Sequence, residues 1–155
     1  MQFSTLFVAA ALSALSLAAP VEKRTCTVQF PYGASQVVID KSAAANTQQT
    51  LPFTNVPSNA GGPCSLVAKF PAGYAVDTTN NAPVQVNVID VDGPAPGAIV
   101  GSVNFVAPGA QDSFVTINSF ACRPTMTYNL QIAGASGHVD FVEGNGAGVY
   151  MTYSC

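Results

Sequence analysis

The sequence predicts an all-β fold: an antiparallel β-sandwich or flattened barrel of about 8–10 short strands carrying two disulfides. Three observations predict it. Apolar and polar residues alternate along most of the chain, the signature of half-buried strands. Pro and Gly interrupt that alternation at short intervals, with 11 prolines and 13 glycines in 155 residues, so each run is too short for a long helix. The cysteines are four, an even number that reads as two bridges in an exported chain.

The chain opens with MQFSTLFVAAALSALSLAAP, apolar from Phe3 to Ala19 except for Ser and Thr. It is short for a membrane span, which needs about 20 strongly apolar residues. Small residues at Ser16 and Ala18 fit a signal-peptidase site, and a cut after Ala19 would place the Pro20 ring at the scissile bond. Cleavage after Ala18 is therefore expected, giving a signal peptide over 1–18. The next segment, 19–24, is a short pro-segment ending in Lys23-Arg24, the pair that kexin-type proteases recognise. The mature chain then runs over 25–155 as a single domain.

Strands are expected at 26–30, 36–40, 64–70, 84–91, 98–105, 113–118, 127–133, 138–142 and 148–154. The Ala-rich stretch over 41–46 could form one helical turn. Breakers separate the strands, among them Asp92-Gly93-Pro94-Ala95-Pro96-Gly97, whose prolines make a stiff, exposed turn. Side chains two apart on a strand share a face. On that parity Cys26 sides with Val28 and Phe30, Cys64 with Leu66 and Ala68, and Cys155 with Met151 and Tyr153. Three of the four cysteines thus fall on apolar faces, as staples between sheets would. Four cysteines allow three pairings. Pairing Cys26 with Cys155, and Cys64 with Cys122, is preferred because the first bridge closes nearly the whole mature chain, a gain on the order of 5 kcal/mol.

Charge excludes some partners. The mature chain keeps three basic residues (Lys41, Lys69, Arg123) and seven acidic ones (Asp40, Asp77, Asp90, Asp92, Asp112, Asp140, Glu143). Without a basic patch, nucleic acid and anionic membrane surfaces are poor partners, and membrane insertion is not expected.

No residue pattern declares a catalytic or metal site, and no cofactor is expected. His138 is the only histidine. Asp140 shares its strand face, but the G-x-S-x-G nucleophile motif is missing, so a surface histidine at a strand start is the better reading. Asp90-Val91-Asp92-Gly93 resembles a fragment of a calcium loop but lacks the remaining ligands. Asp140 and Glu143, beside a Gly-rich turn, are the least implausible carboxylate pair for glycoside hydrolysis. The chain has no Trp, so a sugar platform would fall to tyrosines. Of Tyr32, Tyr74, Tyr128, Tyr150 and Tyr153, two are surface-contact candidates: Tyr74 in its loop, and Tyr150, whose parity opposes Met151.

The stretches PCSLVAKFPAGY, TINSFACRPTMTYNLQI and GAGVYMTYSC resemble small secreted fungal proteins of the ubiquitin-three-binding-protein C-terminal-domain family, over about residues 60–155. Lys69 departs from the pattern at a place more often apolar. The resemblance implies a β-sandwich, fungal secretion and no catalytic residues, and some such proteins resemble elicitors of plant defence or cell death. The expectation is a secreted, extracellular, non-enzymatic protein recognised by a host, contacting a host or cell-wall surface component, protein or glycan. The alternative is a wall-associated or carbohydrate-binding protein without a host role.

Overall fold

The computed structural model describes residues 25–107, 109–144 and 146–155. The expected signal peptide, its cleavage at Ala18, and the Lys23-Arg24 pair lie outside the described residues.

Twelve strands and no α-helix are found among those residues: β1 (Thr27–Gln29), β2 (Gln36–Lys41), β3 (Asn46–Thr47), β4 (Gln49–Thr54), β5 (Cys64–Phe70), β6 (Val76–Thr78), β7 (Val84–Asp90), β8 (Ile99–Phe105), β9 (Ser113–Phe120), β10 (Thr125–Ile132), β11 (Gly137–Val142) and β12 (Gly148–Tyr153). They form three four-stranded sheets, ordered β1-β12-β5-β9, β4-β10-β7-β8 and β3-β2-β11-β6. Every pairing is antiparallel.

Alternation decides which side chains enter the core. In β10, Met126, Tyr128, Leu130 and Ile132 are buried while the residues between them are not. In β7, Val84, Val86, Val88 and then Asp90 point inward. All three sheets feed one apolar core. A ring from each sheet meets the others there: Phe70, Phe105 and Phe141 have centroids 5.0–5.8 Å apart.

The first and second sheets do not close into a barrel. Single bonds stitch their edges instead. The Asn118 side chain of β9 donates to the Val100 carbonyl of β8. On the other side the Gln29 side chain donates to the Thr54 carbonyl, and the Tyr32 N–H to the Pro52 carbonyl at 2.7 Å.

All nine expected strands exist, and three more join them. β4 escaped the sequence pattern because Pro52 interrupts it. β4 is an edge strand of its sheet, where a residue without an N–H is tolerated, and Leu51 and Phe53 on either side are fully buried. β3 and β6 are two and three residues long and edge the third sheet. The expected helical turn over 41–46 is a turn between β2 and β3. There the Ser42 hydroxyl accepts from the Ala44 and Ala45 amides, and Ser42 N–H bonds the Ala45 carbonyl at 2.7 Å. A serine side chain that takes up nearby amides competes with helix formation.

The bridges are Cys26–Cys155 and Cys64–Cys122, and no described cysteine is free. Their placement corrects the parity argument. Cys64 is fully buried, Cys122 and Cys26 are partly covered, and Cys155 is exposed. β12 ends at Tyr153, and Ser154 has φ 56°, a left-handed backbone that breaks the alternation before Cys155. The terminal bridge is therefore a surface clasp, and only Cys64–Cys122 reaches the core.

Candidate functional site

A concavity of about 640 Å³ opens where β7 hands over to β8 and β9 to β10. Such a volume lies in the usual range for small-molecule sites, about 300–1,000 Å³. Its floor is the inward face of β10, Met126 and Tyr128, with Val100 of β8 and Phe120 at the end of β9. Phe120 and Tyr128 stack with centroids 5.2 Å apart.

One wall is the turn from Asp92 to Gly97. Asp90 builds it. Carried inward by the parity of β7, its carboxylate accepts from Gly93 N–H at 2.7 Å and Ala95 N–H at 3.0 Å. Its own N–H and C=O bond Ala98 and Gly97. Gly93 sits so close to this carboxylate that a Cβ there would overlap it. Asp90 is buried, and with both oxygens bonded to amides it meets the rule that a buried charge needs partners.

The other wall is the segment from Ala121 to Arg123, and the Cys64–Cys122 bridge fixes it to β5. Asp92 joins the two walls. Its carboxylate accepts from the Thr127 N–H (2.9 Å), the Thr127 hydroxyl (2.7 Å) and Arg123 (3.3 Å), while Arg123 also donates to the Asp92 carbonyl at 2.8 Å. Burial works to raise the Asp92 carboxyl, but the Thr127 bonds and the Arg123 guanidinium outweigh it and hold the group below its ordinary value. Burial raises the Tyr128 phenol well above its ordinary value, against the opposing charge of Arg123.

The sequence-predicted candidates lie elsewhere or do other work. Asp90-Val91-Asp92-Gly93 is a turn-building device, its carboxylates committed to amides, a hydroxyl and a guanidinium. Among the described residues, no cluster of three His, Cys, Asp or Glu forms. His138 Nδ1 lies 3.3 Å from Asp40, its cross-strand neighbour, while Asp140 accepts from the Gln36 side chain at 2.9 Å. Glu143 is buried in the turn before β12 and accepts from Val149 N–H at 3.0 Å. Burial pushes its carboxyl up to about 8, tempered by that N–H. Asp140 and Glu143 thus hold separate partners.

The two tyrosine candidates differ in exposure. Tyr74 is half-buried. Its hydroxyl donates to the Val142 carbonyl at 2.8 Å, and its ring lies 6.0 Å from Phe70, so it ties a loop down. Tyr150 is only 5% exposed and offers no contact surface. Its parity is as read, opposite Met151, but that face is covered as well: Phe30 lies 5.3 Å away, and the cross-strand partner Val67 is also buried.

Phe120, Arg123, Met126 and Tyr128 were not among the sequence candidates. The alternation of TMTYNLQI marks Met126 and Tyr128 as inward. It carries no sign that a groove opens beside this end of the strand. No protein-family model matches the chain, and neither does any curated protein or solved structure.

Proposed function

We propose that this is an exported, non-enzymatic recognition protein, acting outside a fungal cell and read by a host in the manner of an elicitor. The observation that carries the non-enzymatic part is the employment of its acids. Six of the seven acids, Asp40, Asp90, Asp92, Asp112, Asp140 and Glu143, each hold a structural partner, a backbone amide or a neighbouring side chain, and the seventh, Asp77, is exposed on β6. General acid–base chemistry needs such groups aimed at a substrate. Rigidly framed loops on a stapled β-scaffold are instead suited to presenting a surface. The export-type N-terminus, the bridges and the resemblance of the cysteine-bearing stretches support the extracellular setting. For the carbohydrate-binding alternative, Tyr150 is covered and the Tyr74 hydroxyl is occupied, which leaves Tyr32 as the exposed tyrosine.

The test is infiltration of the purified, oxidised protein into leaves beside reduced and heat-treated samples. Cell death or a defence response confined to the oxidised protein is expected. A silent leaf, with retention on insoluble chitin or β-glucan, would replace the host reading with a wall component.

A further inference from the structure

We propose that the groove beneath the Asp92–Gly97 turn binds an uncharged, predominantly apolar small molecule. The inference rests on the reading of the chain as a recognition protein and names what one of its sites recognises.

Three features carry it. First, the cavity of about 640 Å³ has an apolar floor whose accessible part is Val100 and Phe120, with Pro94, Ala95 and Ala121 at the walls, laid over the already buried Met126 and Tyr128. Such a floor rewards removal of apolar surface from water, at about 25 cal/mol per Å². Second, the charges at its rim are already matched to one another. Asp90 is spent on the Gly93 and Ala95 amides, Asp92 on Thr127 and Arg123, and Arg123 on the Asp92 carboxylate and carbonyl. A charged ligand meets no rim charge without an opposite partner already beside it, and a neutral one needs none. Third, the walls are preset. A disulfide at Cys122, the Asp90 bonds and the Asp92 bridge hold them, so little ordering cost remains to be met on binding. A polysaccharide is a poor occupant, because the floor offers few groups to its hydroxyls.

The test uses the exported, oxidised protein and the neutral fluorophore N-phenyl-1-naphthylamine. One saturable site is expected. Ala121→Trp, and independently Ala95→Trp, place a large side chain in the mouth from exposed positions and should weaken the probe at least about tenfold. Val142→Trp, at an exposed position not lining the groove, should leave the affinity unchanged. Dodecan-1-ol should displace the probe at least as well as dodecanoate. Absence of saturable binding, or binding indifferent to both groove variants, overturns the site. Dodecanoate displacing about tenfold better than the alcohol overturns the neutral-ligand assignment. A leaf response without probe binding would remove the groove and leave the recognition reading standing; saturable binding with a silent leaf would do the reverse.

Discussion

The two disulfides are the same bond in two different situations. Cys26–Cys155 spans 129 residues and lies at the surface, beyond the ends of β1 and β12. Cys64–Cys122 spans 58 residues and runs from a fully buried sulfur to the wall of the groove. Loop entropy ranks the first higher, about 5 kcal/mol against about 4. Position distinguishes the second, because it alone of the two fixes a wall of the groove. A staple's contribution to stability and its contribution to the shape of a groove are separate quantities: both bridges supply the first, and only Cys64–Cys122 supplies the second.

Breaking both bridges should have the largest effect. The oxidised protein is expected to resist protease, and reduction to open it; rapid digestion of the oxidised form would remove the staples from the account. Next come the pairwise variants, read by urea unfolding and by probe titration. Cys26→Ala with Cys155→Ala should cost up to about 5 kcal/mol and leave groove affinity unchanged in the fraction that remains folded. Cys64→Ala with Cys122→Ala should cost about 4 kcal/mol and also weaken the probe. Equal loss of binding in the two would show that the groove is not locally built. Asp92→Ala should cost only about 1 kcal/mol, since its Arg123 partner is a third exposed, yet it should loosen the probe by unlinking the walls.

A second contrast separates two acids at turns. Folding keeps the Glu143 carboxyl protonated to about pH 8, whereas its ordinary value is 4.5. The stability tied to that difference is complete below 4.5 and drains as pH rises toward about 8, by at most about 1.4 kcal/mol per pH unit. Asp92 is shifted the other way. Its contribution is present above its ordinary value of 3.8 and is lost as pH falls below it. Thermal unfolding across pH should therefore show greatest stability near pH 4–5. Glu143→Gln should flatten the alkaline limb and raise stability at pH 8. An unchanged limb would assign it to another group.

The strands carrying regular alternation, such as β7 and β10, could be read from sequence because a side chain's face is a local, period-two property. The same rule places Asp90 inward with Val84, Val86 and Val88. It fails at a local break, where the left-handed backbone of Ser154 turns Cys155 outward, and where something non-local intervenes, as Phe30 covers Tyr150 on what would otherwise be an open face. β4 was lost to Pro52, whose tolerance depends on its edge position, itself a matter of sheet order. The groove was the least legible feature. Its floor comes from β8, β9 and β10, and its walls from two turns about thirty residues apart in sequence.

By itself the sequence determined the fold class, the existence of nine of the strands and the stiffness of the Asp92–Gly97 turn, because alternation, breakers and proline restraint act over a few residues. Only the tertiary structure decided which faces are covered, which bridge reaches the core and where an apolar floor stays open. Those outcomes depend on what packs against a strand from elsewhere in the chain, and local alternation carries no information about that neighbour.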